Sequence, residues 1–249
     1  MEGWAGTGIL LAVGFVAGTL NVIAGGGSFL TLPALIFLGL PPTVANATNR
    51  VGILSQNVGA VWGFHRHGLM DRRLLPWVAV PAIVGALFGS WAALAVSDHA
   101  FRRILALLMV VVTLWTLWDP LSRRRLESSS PRVRPFWLAL AFLGVGAYGG
   151  FIQAGVGFLI LAVTTLVGLD LVRGNAVKVL CVLLFTPVSL ALFAWQGLVA
   201  WPEGLSLAVG TVLGGQLGVR MTVLKGHRWV KTVVTVAVLV FAVKLWLSR

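Results

Sequence analysis

The chain has 249 residues, of which 58% are hydrophobic and 10% charged, whereas a soluble domain carries about 25% charged residues. This composition excludes a water-soluble globular protein. The formal charge of +12 does not indicate a nucleic-acid-binding protein, because the cations cluster in a few loops between apolar segments, where they set topology and meet anionic headgroups.

Apolar runs recur along the whole chain and predict an all-α polytopic membrane protein. The run "ILALLMVVVTLWTLW" does not alternate in polarity, as the strand of a membrane β-barrel would. Residues 119–135, "DPLSRRRLESSSPRVRP", form a polar linker with five arginines. The predicted organisation is a first repeat at 1–118, the linker at 119–135 and a second repeat at 136–249. In chain order the predicted segments are 6–23, 28–40, 44–64, 73–95, 100–118, 135–152, 157–169, 173–195, 202–223 and 229–247.

The two halves share a pattern of small residues, which predicts two structural repeats of about five helical segments each. An offset of 129 positions matches several glycines of the first half with glycines of the second. One deletion then aligns "AGGG" at 24–27 with "AGVG" at 154–157. The matched pairs are Gly39 with Gly168, Gly68 with Gly197, Gly85 with Gly214 and Gly89 with Gly218, together with Asn46 and Asn175.

Two matched segments, 28–40 and 157–169, are short. At 1.5 Å per residue each is about 20 Å long, against roughly 30 Å of hydrocarbon. Both follow a glycine turn, as interrupted or re-entrant helices of transporters do. A short tilted helix after a flexible turn is the alternative.

The distribution of cations predicts the orientation of the chain in the membrane. If each half crosses an odd number of times, most arginines and lysines, including those of the linker, fall on one side. The positive-inside rule then predicts a cytoplasmic linker, with both termini outside. Odd parity also makes the repeats inverted, an arrangement that serves alternating access.

None of the seven acidic residues lies in the middle of an apolar segment, whereas two cations do lie inside such segments. Arg50 lies in segment 44–64 and Lys178 in segment 173–195. A buried cation costs roughly 2.5–3.5 kcal/mol on insertion scales and tends to face a partner or a pathway. Without a buried carboxylate, an anion is the natural companion. The alternatives are that both side chains snorkel to the interface or donate to backbone carbonyls.

Polar residues near these cations complete a predicted anion site. Asn46, Asn49, Arg50 and Asn57 fall at helical spacings that let them share one face, although interhelical hydrogen bonding could also explain that face. Glycines at 25–27 allow a turn with exposed N–H groups, and Ser28 is predicted to cap the next helix, whose N-terminus suits an anion. Close helix packing is the alternative role of these glycines. The predicted binding residues are Gly25, Gly26, Gly27, Ser28, Asn46, Asn49, Arg50, Gln56, Asn175 and Lys178.

Other chemistry has little support in the sequence. Cys181 is the single cysteine, which rules out an internal disulfide, and we expect it to pack inertly. His65 and His67 flank a basic loop and are expected at the interface. No paired acids, zinc-type cluster or serine triad is visible, so we predict no enzyme activity, metal or cofactor. The first cation is Arg50, so the N-terminus lacks a signal-peptide n-region and is expected to remain.

The stretch "NVIAGGGSFLTLPALIFLGLPPTVANATNRVGILSQNVGAVWGF", followed by "VPAIVGALFGSWAA", resembles the first repeat of the TauE/SafE family of sulfite exporter-like permeases. The second copy, "AGVGFLILAVTTLVG", departs from it by lacking the triple glycine and the proline. The resemblance implies movement of sulfur-containing anions, such as sulfite or sulfonates, across the bacterial inner membrane.

These observations predict an alternating-access transporter whose partners are a small anion and the lipid bilayer, with homo-oligomerisation left open. The missing buried carboxylates favour uniport or anion exchange over carboxylate-based proton coupling. A passive anion channel, or a membrane partner protein without transport activity of its own, is the alternative function.

Overall fold

The computed structural model describes residues 3–69, 75–118 and 135–247, and within these residues the chain forms helices and no strands. The prediction of an all-α protein is therefore confirmed. Linker residues 119–134 lie outside the described residues. The helices are α1 (Gly3–Ala24), α2 (Ser28–Phe37), α3 (Pro42–Arg66), α4 (Leu75–Leu94), α5 (Asp98–Trp118), α6 (Pro135–Phe151), α7 (Val156–Leu166), α8 (Leu171–Trp195) and α9 (Trp201–Leu247).

Four stretches of the described helices are long and apolar enough to cross a membrane. They are 4–24, 76–94, 171–195 and 201–224. The helices α2 and α7 have only 10 and 11 residues, or about 15 Å each at 1.5 Å per residue. The prediction of two short helices after the glycine turns is confirmed, and whether they re-enter stays a prediction.

The chain breaks around these short helices recur in the two halves. Six described glycines have positive φ, and they fall into three pairs at the positions that the sequence alignment matches. Glycine adopts this left-handed region without the steric cost that a side chain would bring. The pairs are Gly25 (φ 91°) with Gly155 (76°), Gly39 (102°) with Gly168 (87°), and Gly68 (67°) with Gly197 (69°).

The halves interlock instead of lying side by side. The first helix of each half packs on the fourth helical segment of the other, α1 on the start of α9 and α6 on α4. Glycines permit this approach: a Cβ on Gly89 would lie 1.9 Å from the Ala147 carbonyl oxygen, and one on Gly214 would lie 1.9 Å from that of Phe15. Small residues let membrane helices approach closely in this way. The central helices α3 and α8 also contact each other between these pairs.

The end of the chain differs from the predicted segments. We predict separate segments at 202–223 and 229–247, but α9 runs without a break over 47 residues. At 1.5 Å per residue it is about 70 Å long. The break is predicted from the polar residues Lys225, His227 and Arg228. The prediction is wrong because polar side chains interrupt an apolar run without ending a helix. Proline, which would end a helix, is absent from "LKGHRWVK".

Candidate anion-binding site

The glycine turns of the two halves touch each other inside the protein. A Cβ on Gly25 would lie 2.5 Å from the Gly157 Cα, and a Cβ on Gly157 would lie 2.4 Å from the Gly25 Cα. Gly27 is equally tight, because a Cβ there would lie 2.2 Å from the Ala17 carbonyl oxygen, whereas a Cβ on Gly26 would meet the Phe158 ring at 2.9 Å. The Gly25 turn, which lies between α1 and α2, therefore meets the first turn of α7 backbone to backbone.

Arg50 on α3 is fully buried and holds the end of α6. Its Nη1 donates to the Gly149 carbonyl oxygen at 3.0 Å and to Gln153 Oε1 at 3.3 Å. Its Nη2 donates to the Gly150 carbonyl oxygen at 2.6 Å, and its guanidinium carbon lies 4.8 Å from the ring centroid of Phe193. A cation at a helix C-terminus is stabilised by the negative end of the helix dipole.

Lys178 on α8 holds the end of α1 in the same manner. Its Nζ donates to the carbonyl oxygens of Asn21 at 2.8 Å and Val22 at 2.7 Å, and to Asn175 Oδ1 at 2.5 Å. Only 3% of Lys178 is exposed. Each buried cation therefore connects the third helix of one half to the first helix of the other half.

The matched asparagines extend both connections. Asn46 Nδ2 donates to the carbonyl oxygen of Phe151 at 3.1 Å, the last residue of α6. Asn175 Nδ2 donates to the carbonyl oxygen of Ile23 at 3.0 Å, close to the end of α1. Helix ends leave carbonyls without intrahelical partners, and these side chains supply the missing donors. The geometry is that of the carbonyl-bonding alternative and excludes snorkelling, since both cations are buried.

The contact between the Gly25 turn and Gly157 is called the crossing below. The charges around this crossing do not cancel. The C-terminal ends of α1 and α6 each carry about −0.5 charge and the N-terminal ends of α2 and α7 about +0.5, so the four helix ends sum to zero. With Arg50 and Lys178 both protonated, the net charge is about +2. Among the described carboxylates, Asp98, Asp170 and Glu203 lie at the starts of α5, α8 and α9, and none is buried. In the described part of the chain, no carboxylate therefore compensates these cations.

Three other predicted residues have different surroundings. The prediction that Ser28 caps α2 is wrong, because Gly27 is the N-cap residue and no side chain caps this helix. Instead, Ser28 Oγ accepts from Asn49 Nδ2 at 3.2 Å, and Thr31 Oγ1 donates to Asn49 Oδ1 at 2.6 Å, which ties α2 to α3. Gln56 is buried against α9, where its Cγ would lie 2.7 Å from a Cβ on Gly215.

A small cavity adjoins the crossing, and several of its residues are missing from the predicted set. Its polar lining is Asn21, Asn57, Gln153 and Lys178, and Gly157 forms part of the wall. It has room for about one water molecule. The stretches "NVIAGGG" and "QAGVG" both place an amide residue shortly before the glycine turn, a signal that could have identified Asn21 and Gln153.

Interrupted helices that meet around a buried polar centre place this fold in the class of membrane transporters. Residues 10–245 match the family described as "Sulfite exporter TauE/SafE", and the chain belongs to this family. No solved structure matches the chain.

Curated relatives cover nearly the whole length of the chain. A "Probable membrane transporter protein" of Haemophilus influenzae is 28% identical over 95% of this chain and 93% of its own length. "Probable membrane transporter protein YfcA" of Escherichia coli K12 is 31% identical, covering 96% of this chain and 88% of its own. "Probable membrane transporter protein ORF9" of a Sinorhizobium species is 28% identical, covering 95% and 90%.

Proposed function

We propose that this membrane transporter carries small sulfur-containing anions, such as sulfite or sulfonates, across the bacterial inner membrane by alternating access. The observation that carries the proposal is the pair of buried cations beside the crossing of two helix breaks. The family description, which refers to sulfite export, supports the choice of anion. We infer that the cargo is neutralised by this centre.

The chemistry of an oxyanion suits such a centre. Helix N-termini present N–H groups without intrahelical partners and a partial positive charge, and two of them converge here. An anion in this low-dielectric setting would meet a net positive charge of about +2. A sulfur oxyanion offers several acceptor oxygens, and it can carry its own proton, so transport needs no buried carboxylate for proton coupling.

Alternating access is supported by the matched breaks and by the small size of the cavity. We propose that the halves at 1–118 and 136–249, joined by the 119–135 linker, are inverted repeats that rock against each other about the crossing. The three glycine pairs and the reciprocal packing of α1 and α6 agree with such a relation. A cavity with room for about one water is too small for sulfite, so cargo can enter only if the helices move.

A proteoliposome flux panel with sulfite, sulfate, thiosulfate, sulfoacetate and taurine, with and without a pH gradient, tests this function. We expect saturable uptake with counterflow for at least one sulfur anion. Loss of a charged hydrogen-bond donor is worth about 1.5–3 kcal/mol, so Arg50→Gln and Lys178→Gln should each slow uptake roughly tenfold or more. Arg66→Gln, at an exposed arginine that stacks on Trp62, is the control and should leave uptake unchanged.

Other results of the panel would contradict the carrier. Uptake without saturation or counterflow would indicate a passive anion channel. Complete absence of flux for every anion would indicate a partner protein. Wild-type rates in both the Arg50 and the Lys178 variant would remove these residues from the site.

We also propose the topology that the cation distribution predicts, with a cytoplasmic linker and both termini outside. Alkaline phosphatase fused after residue 249 should then be active, whereas the same reporter inserted in the linker should be inactive. The N-terminal fusion serves as an independent check on parity. An inactive reporter at the C-terminus would place that terminus in the cytoplasm and would contradict the proposed topology.

A further inference from the structure

The two buried cations differ in their relation to the cavity. Lys178 lines it, whereas Arg50 is separated from it by Gln153, whose Oε1 accepts from Arg50 Nη1. Arg50 is also covered by the Phe193 ring and donates to two carbonyls of α6. An anion in the cavity could therefore contact Lys178 directly and Arg50 only through its field.

One of the three acceptors on Lys178 can be released at low cost. The carbonyl oxygen of Asn21 accepts from Lys178 Nζ at 2.8 Å and also from the Gly25 N–H at 2.8 Å. A carbonyl oxygen has two lone pairs, so it stays hydrogen-bonded to Gly25 when the lysine leaves. Asn21 and Lys178 both line the cavity, so the Lys178 Nζ–H group that would lose the Asn21 carbonyl lies at the cavity wall.

We propose that the cargo anion binds in this cavity at Lys178, where one of its oxygens replaces the Asn21 carbonyl, while Arg50 stays on α6 as a positioning residue. This proposal rests on the proposed function and assigns its binding contact. The ligand class is a small oxyanion with several acceptor oxygens. Each side-chain amide nitrogen has two hydrogens, of which Asn57 Nδ2 uses one on Ile53 and Gln153 Nε2 uses one on Thr186, so both retain a donor for the anion.

The exchange also links binding to movement. Lys178 holds the last turn of α1, directly before the Gly25 turn and the crossing with Gly157. Release of the Asn21 carbonyl removes one of the bonds that fix this turn. The anion thereby loosens the same break that must open for the cavity to accommodate it.

Thermal unfolding of the purified, detergent-solubilised full chain tests the assignment, with sodium sulfite compared against sodium chloride at equal ionic strength. A ligand that binds only the folded state raises the unfolding midpoint in a concentration-dependent manner. We expect this for the wild type. Lys178→Met should raise the sulfite concentration of half-maximal effect at least tenfold. Arg50→Lys should lower the midpoint without ligand but keep that concentration within about threefold of wild type.

A second variant keeps the test decisive if Lys178→Met fails to fold. Asn57→Ala leaves the hydrogen bonds of Arg50 to α6 and of Lys178 to α1 intact. It should raise the sulfite concentration of half-maximal effect about fivefold. Wild-type responses to sulfite in Lys178→Met or Asn57→Ala, or loss of the response in Arg50→Lys, would overturn the assignment while flux of the wild type still supports the carrier. Absence of both sulfite stabilisation and flux in the wild type would instead refute the proposed function, and this assignment with it.

Discussion

Gly157→Ala is expected to abolish the folded, transport-competent protein. A Cβ on Gly157 would lie 2.4 Å from the Gly25 Cα and 3.1 Å from both the Gly25 carbonyl oxygen and Lys178 Cδ. The first of these atoms belongs to the backbone of another element, so the helix break itself must shift. Overpacking of a well-packed interior costs about 1–3 kcal/mol or more, and here it also displaces the lysine that holds α1.

Two glycines with open surroundings, Gly144 and Gly39, serve as controls. A Cβ on Gly144, in the middle of α6, meets nothing within 4 Å, so Gly144→Ala should be neutral or slightly stabilising, since alanine is favoured in a helix by about 1 kcal/mol. Gly39 has φ 102° but open surroundings. Comparison of Gly39→Ala with Gly25→Ala therefore separates the backbone cost of positive φ, which both share, from the clash at the crossing.

The measurement is the monodisperse fraction after detergent extraction, with the unfolding midpoint and flux of whatever protein remains. We expect at least a tenfold loss of flux in Gly157→Ala. If Gly157→Ala matches Gly144→Ala in yield, midpoint and flux, the contact between the two glycine turns is not a requirement of the fold.

The local chemistry of the sequence is sufficient to predict the glycine breaks and the two cations inside apolar segments, but not the continuity of α9. Glycine pairs such as Gly39 with Gly168 are found by alignment because positive φ restricts a turn to glycine. Arg50 and Lys178 stand out because so few charges lie within apolar runs. These features depend on residue type and spacing, which the chain displays directly.

The partners of the cations depend on long-range packing and could not be read in the same way. Arg50 meets the carbonyl of Gly150, 100 positions away, and Lys178 meets that of Val22, 156 positions away. These contacts exist because α1 packs on α9 and α6 on α4 across the two halves. A sequence gives the unpaired charge but not the helix end that accepts it. For the same reason Gln56, predicted at the site from its position near Arg50, packs against α9 instead.

Removal of the Arg50 guanidinium should destabilise the protein strongly. Arg50→Met leaves the Gly149 carbonyl without the donor that Arg50 provides, whereas the Gly150 carbonyl keeps the Ser90 hydroxyl at 3.1 Å. Gln153 Oε1 also loses its arginine donor. Each buried acceptor without a partner costs about 1–3 kcal/mol, so the two together predict a loss of roughly 2–6 kcal/mol in the free energy of unfolding.

The lipid environment makes this loss difficult to repair, because no bulk water is present to bond the exposed carbonyls. Arg50→Lys should recover part of the midpoint, because an ammonium can reach one or two of the same acceptors but lacks the planar fork of the guanidinium. The matched control is Arg66→Met. The Arg66 guanidinium lies over the Trp62 ring at 4.6 Å on an exposed part of α3, and its loss should cost about 0.5–1 kcal/mol. Equal midpoints for Arg50→Met and Arg66→Met would mean that the end of α6 does not need its cation, and the reciprocal clamping of the two halves would then have no energetic basis.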